Sequence, residues 1–215
     1  MEFDPAGLPG PQRYRLLISM IVPRPIAFVS TRAADGVLNL APFSFYMGVS
    51  GEPPMLALSV STRAGETKDT ARNILETGEF VVNAATEPLA QAVNHASGDW
   101  GADVDEFALT GLTPAPSVKI APPRVAEAAF ALECRTHTVV PLGTPPHDTR
   151  LIVGEVVWIH VKEEVLEPAP PLPDGSPAPP LVDAVRLRPI ARLGKNLYTR
   201  LGTIFALDRP RANRS

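Results

Sequence analysis

The chain alternates short apolar runs with polar punctuation, and the period of each run sets the element it predicts. Ile26 to Thr31, Met55 to Val60, Phe80 to Asn83, Ala129 to Val140 and Leu151 to Val161 are rich in β-branched and aromatic residues and predict strands, with Val185 to Leu187 as a further short one. Two segments carry helical spacing instead, Thr67 to Thr77 and Glu87 to Ser97, each followed by a glycine, Gly78 and Gly98. Thr67 and Thr86 are the expected N-caps, with Pro88 tolerated in the first turn of the second helix. Many strands with two helices do not suit a doubly wound parallel sheet, which needs a helix between most strand pairs. The expectation is a mainly β chain, an antiparallel barrel with helical decorations.

Proline complicates that picture, because the chain has 25 in 215 residues, more than twice the usual ~5%. Seven of them fall between Pro168 and Pro180, where fixed φ and missing donors forbid both helix and central strand. That run is expected to be an extended loop, either a stiff surface connection of polyproline II character or an arm lying over a neighbouring subunit or a ligand. The pairs Pro53-Pro54, Pro122-Pro123 and Pro145-Pro146 punctuate strands. With 45% hydrophobic residues, the chain can bury a sizeable core, and residues 1–215 read as a single domain carrying the loop at 168–180. The polar tail after Leu207 is expected to fray.

Charge and cysteine usage remove several classes of function. Twenty basic against twenty-three acidic residues leave a net charge of -3, with no basic excess for nucleic-acid binding. A single cysteine, Cys134, makes neither an intrachain disulfide nor a zinc cluster, and it suits a reducing cytoplasm. The apolar stretch Leu16 to Val22 is interrupted by Ser19 and falls well short of the ~20 residues a membrane span needs. No basic-then-apolar pattern opens the chain, so a cytoplasmic location is expected. The histidines His95, His137, His147 and His160 lie far apart and form no recognisable metal-ligand pair. A Gly-x-Ser-x-Gly elbow and a Walker loop are both absent.

Two stretches do carry chemistry. Ser59 to Thr70, SVSTRAGETKDT, ends a predicted strand in hydroxyls and Arg63 and enters a helix with Lys68 and Thr70. Hydroxyl donors, a cationic side chain and the positive end of a helix are what a phosphate monoester requires, although the same residues also make an ordinary solvated strand-to-helix loop. Asn39 to Met47, NLAPFSFYM, follows the turn at Asp35-Gly36 and is stiffened by Pro42 beside aromatics. It offers either fixed backbone groups for a flat heterocycle or a bulged edge strand with core aromatics.

Taken in order, the motifs Pro23 to Thr31, Gly36, Asn39 to Ser44, Pro53 to Leu56, Lys68-Asp69-Thr70 with Asn73-Ile74, and Glu79 to Asn83 resemble the flavin reductase-like, FMN-binding split-barrel family. The resemblance continues through Glu133-Cys134-Arg135, Gly154 to Val157, Arg192-Leu193-Gly194 with Tyr198, and Arg209-Pro210, and its nearest branch is flavoredoxin-like. It implies a homodimer of split barrels with FMN bound near the interface. Carried over residue by residue, Ser59, Ser61, Arg63, Lys68 and Thr70 would hold the phosphate, and Thr31, Asn39, Ala41, Pro42, Phe43 and Ser44 the ring and ribityl edge. Arg192, Lys195 and Tyr198 are weaker candidates beside the ring, and Gly194-Lys195 departs from the Gly-Gly pair of many relatives. The chemistry would then lie on FMN, with no catalytic side chain and no metal required. The leading expectation is an NAD(P)H-dependent flavin reductase that uses the nicotinamide as electron donor and serves a monooxygenase or another electron carrier. The alternatives are an FMN electron-transfer protein without NAD(P)H oxidase activity and a flavin-free binding protein.

Overall fold

The computed structural model describes residues 1–210 other than Arg63, Ala64, Ala169, Pro173 and Pro177. Seven strands make one antiparallel sheet: β1 (Ala27–Arg32), β2 (Leu38–Phe43), β3 (Tyr46–Gly51), β4 (Pro54–Ser61), β5 (Glu79–Ala84), β6 (Phe130–Leu142) and β7 (Thr149–Val161). Their order is β2-β1-β5-β6-β7-β4-β3, so β2 and β3 stand at the two edges although they follow one another in sequence. The five long expected strands are therefore present. Asn39 to Met47 becomes the edge strand β2, the turn after it and the start of β3.

The run of buried residues along β1 reflects cover on both faces of the sheet. Ala27 and Val29 point into one cluster with Leu58, Phe80 and Ile152, while Phe28 points into a second with Leu40, Phe107 and Val125. Helix α2 (Asp69–Thr77) plugs the first cluster with Ala71 and Ile74. Space there is tight at Gly154, where a Cβ would lie 2.5 Å from Phe80 Cζ and 3.3 Å from Cys134 Cβ. The β6–β7 register shifts between Val153 and Gly154, at the same place.

Three local expectations are corrected. The N-cap of α2 is Lys68, one residue after Thr67, and it makes no side-chain cap bond; Gly78 does close the helix in the left-handed conformation, φ 72°. The segment Glu87 to Ser97 splits into a 3-10 turn, Glu87–Leu89, and α3 (Ala90–His95), with Leu89 at φ -94°, ψ 1°, off the α-helical values, at their junction, and the Thr86 side chain caps neither piece. Val185 to Leu187 is not a strand. It belongs to a short helix, Ala184–Leu187, that forms because the Asp183 side chain accepts from the Val185 and Arg186 amides. The sequence reading also omitted α1 (Gly10–Met20) and α4 (Glu106–Thr110), the latter capped by Asp105.

Arg24 explains how the terminal segments are pinned. Its side chain is 4% exposed and donates to the carbonyls of Ile18, Ile21 and Leu193 at 2.5, 2.9 and 3.0 Å, and to Ser44 Oγ at 3.3 Å. One guanidinium thus joins α1, the β2–β3 turn and the late segment, where Arg24–Pro25 pairs with Ala191–Arg192 and that with Tyr198–Thr199. The proline-rich run holds no helix or strand among its described residues. Its base is closed, because the Glu167 amide donates to the Leu181 carbonyl and the Asp183 amide to the Val165 carbonyl, each at 2.9 Å.

Candidate functional site

A cavity of about 550 Å³ opens between the end of β2 and the start of α2. Asn39, Ala41, Pro42 and Phe43 line it from β2, and Lys68 and Thr70 line it from the helix start. The first-turn amides of α2 have no carbonyl partner within the helix, and the cap residue Lys68 offers no side-chain acceptor, so this end is rich in donors. Asp69 is paired with Arg72. The Lys68 ammonium stands 5.8 Å from the centre of the Phe43 ring, within cation–π range.

Behind the cavity wall runs a buried chain of polar side chains. Asn39 Nδ2 donates to both carboxylate oxygens of Glu106 at 3.2 Å, and the Leu40 amide adds a third bond at 3.0 Å. Asn39 Oδ1 accepts from the hydroxyls of Thr31 at 3.2 Å and Thr70 at 2.7 Å. Asn73 Nδ2 then donates to Thr31 Oγ1 at 3.0 Å. Burial pushes the Glu106 carboxyl up from its ordinary value, and its hydrogen bonds to Leu40 and Asn39 offset only part of that. Strand β2, helix α2 and helix α4 are held in one register by this chain, so the cavity has a fixed back wall.

A smaller cavity of about 140 Å³ adjoins the first, sharing Pro42, Phe43 and Ser97 with it. Ser44, Arg192 and Tyr198 line this second space. The Arg192 guanidinium lies 4.5 Å over the Tyr198 ring and donates to the Lys195 carbonyl at 2.9 Å, while Tyr198 Oη donates to Asn94 Oδ1 at 3.2 Å. Lys195 itself is exposed and takes the left-handed conformation, φ 57°, that favours glycine.

The structure thus gathers Asn39, Ala41, Pro42, Phe43, Lys68 and Thr70 at one cavity, and Ser44, Arg192 and Tyr198 at its neighbour. Thr31 is fully buried, with its hydroxyl inside the network. Ser59 and Ser61 line neither cavity, and Ser61 Oγ accepts from Thr149 Oγ1 at 2.9 Å. Arg63 lies outside the described residues. Sequence reasoning missed Glu106 and Trp100, both on the larger cavity. The Asp105 cap followed by an acidic first turn was a readable signal for the helix that carries Glu106, whereas its burial comes only from packing on β2. Among the described residues, no group of three His, Cys, Asp or Glu side chains could hold a metal ion, and no helix is long and apolar enough to cross a membrane.

Comparison with known proteins places this geometry. Residues 19–186 match the model of the flavin reductase like domain. The protein BH2278 of Halalkalibacterium halodurans is 40% identical over 98% of this chain and 97% of its own length. Among solved structures, nitrilotriacetate monooxygenase component B from Bacillus cereus is 36% identical, with a TM-score of 0.87 over 96% of this chain and 98% of that one. The 2-nitrobenzoate 2-nitroreductase NbaA from Pseudomonas fluorescens is 27% identical, with a TM-score of 0.83 over 98% of this chain and 96% of that one. A split barrel domain from Shewanella frigidimarina, 21% identical over 98% of this chain and all of that one, superposes with a TM-score of 0.78 and gives the fold its name. The sheet order, the two cores and these matches agree: the chain is a split barrel and belongs to the flavin reductase-like family.

Proposed function

We propose that the chain is an NAD(P)H-dependent flavin reductase that binds FMN in the cavity between β2 and α2. The observation that carries this reading is the union, in one space of about 550 Å³, of a cationic, amide-rich end and an apolar, proline-stiffened end. That volume suits a ligand of this size. At the first end, Lys68 and the opening amides of α2 are the donors a phosphate monoester needs. The Thr70 hydroxyl is committed to Asn39, so the Thr70 contribution is its backbone amide. Ser59, Ser61 and Arg63 belong to the phosphate set through the family resemblance alone.

At the other end, Ala41, Pro42 and Phe43 present a stiff apolar wall, and Thr31 and Asn39 act from behind by fixing the strand. When bound, FMN supplies hydride acceptance and onward electron transfer. The chain's own work is to anchor the phosphate, hold the ring edge against β2 and limit water around it. Arg192, next to Phe43 and Ser44, brings positive charge to the ring's side of the site.

The electrons are handed on to a partner in this reading, which the likeness to component B of a monooxygenase supports. The working unit is a homodimer, supported by bare apolar side chains on β3 and α1, among them Met47, Val49, Leu17 and Met20. The test is to purify the protein, titrate it with FMN, and add NADH or NADPH without oxygen. Bleaching of bound flavin with rapid turnover on free FMN supports the reductase. A yellow protein inert to both nicotinamides would make it an electron carrier, and failure to bind FMN would overturn both.

A further inference from the structure

The smaller cavity is polarised in one direction. Its apolar wall is Ile26, Pro42 and Phe43, and among the described residues no acidic side chain lines it. The hydrogen bonds of its polar side chains decide which of them still have a proton to give. Ser97 Oγ donates to the Asn94 carbonyl at 2.6 Å and Tyr198 Oη to Asn94 Oδ1 at 3.2 Å, so both of these hydroxyls are committed to α3. Ser44 Oγ instead accepts from Arg24 Nε at 3.3 Å, which leaves its own proton to be donated. Arg192 gives one bond, from Nη2 to the Lys195 carbonyl at 2.9 Å, and has no carboxylate partner among the described residues.

Charge points the same way. Arg24 and Arg192 are register partners on paired strands, and like charges directly opposite one another are unfavourable. Arg24 is 4% exposed, and its acceptors are three carbonyls and Ser44 Oγ, none of which is ionised. An anion beside the two guanidiniums relieves that repulsion. The Arg192 guanidinium is also held ready, stacked 4.5 Å over the Tyr198 ring, which is itself tied to Asn94. Little side-chain freedom is left to lose when an anion docks.

We infer that the smaller cavity is an oxyanion subsite, in which Arg192 and the Ser44 hydroxyl bind a carboxylate or phosphate group of the second substrate. Pro42 and Phe43 border both cavities, so a molecule anchored here by its anionic group has its remainder beside the larger space. That the remainder meets FMN there rests on the FMN reading; the anion subsite does not. Arg192 and Ser44 thereby select anionic substrates over neutral ones of the same shape.

Fluorine NMR on the full chain without flavin tests this, with 4-fluorobenzoate and its neutral counterpart 4-fluorobenzamide as probes. The benzoate signal broadens saturably, and the amide binds roughly tenfold more weakly or worse. Arg192→Ala weakens 4-fluorobenzoate roughly 10- to 150-fold and Ser44→Ala roughly two- to tenfold, while Lys68→Ala and Lys195→Ala stay within about twofold. Arg192→Lys recovers only part of the loss, because it keeps the charge and loses the planar fork. Inorganic phosphate that displaces the probe marks a phosphate-bearing substrate, and phosphate without effect marks a carboxylic acid; either result supports the subsite. Equal binding of the amide, or a loss at Lys68→Ala in place of Arg192→Ala, overturns it. If FMN does not bind while the benzoate still depends on Arg192, the subsite stands and the FMN reading falls. If FMN binds and the benzoate is indifferent to Arg192, the subsite alone falls.

Discussion

Asn39 grips Glu106 with one nitrogen, donating to both carboxylate oxygens at 3.2 Å, and through this pair, 67 residues apart in the chain, a strand at the edge of the barrel is locked to a helix. The contact buries an acid beside the cavity without placing it in the chemistry.

Burial raises the Glu106 carboxyl above its ordinary value, so the folded chain holds that proton more tightly than the unfolded chain does. The group's stabilising contribution is therefore complete below the ordinary carboxyl value and is lost as pH rises through the raised folded value. Glu106→Gln has no such titration. The melting-temperature gap between wild type and Glu106→Gln should narrow between pH 4 and pH 7.5, and a gap that widens would contradict the assignment.

Glu133 works in the opposite sense. Burial alone would raise its pKa, but His160 at 2.7 Å and the Val118 and Lys119 amides, also at 2.7 Å, outweigh burial and hold it below the usual carboxylate range. Its contribution is present above the ordinary value and is lost as pH falls through the depressed one. Glu133→Gln should cost about 2–4 kcal/mol at pH 7 and flatten the acid limb of the stability curve, as measured by denaturant unfolding at pH 7 and pH 3.5.

Lys68→Ala should weaken FMN roughly 10- to 150-fold, the loss of one charge-assisted contact of about 1.5–3 kcal/mol. Riboflavin, which lacks the phosphate, should lose far less. Calorimetric titration of both ligands checks this, and equal losses would place Lys68 elsewhere.

Arg192→Ala and Lys195→Ala separate two neighbours that the sequence alone could not rank. Arg192 lines the cavity that shares Phe43, whereas Lys195 is exposed and its carbonyl accepts from Arg192. Removing Arg192 should lower the reduction potential of bound flavin, and removing Lys195 should leave it nearly unchanged. Potentiometric titration of the two variants distinguishes them.

Gly154→Ala should destabilise the barrel by about 1–3 kcal/mol, since the added methyl lands on Phe80. A shift in the urea midpoint with an unchanged slope is the expected readout.

The long strands were legible because β-branched runs bounded by glycine and proline leave little else to form, and β1, β4, β5, β6 and β7 all appear where those runs lie. Where two local signals competed, tertiary contact decided. Val185 to Leu187 has strand-like residues, yet one aspartate at its head satisfied two amides and turned it into a helical turn. The cavity's cationic and proline-bearing walls could be read from sequence because each is a contiguous motif. Glu106 could not, since its burial comes from β2 packing against it, and that partner is not implied by the residues on either side.

The closed base of the proline-rich excursion bears on how the molecule tolerates change. Glu167 and Leu181 are already hydrogen-bonded neighbours, so the segment between them bridges no gap. The barrel sets no minimum length there, and a short turn would join the same two ends. That stretch can be trimmed, lengthened or fused to another module while the cavity, held from β2, α2 and α4, keeps its shape.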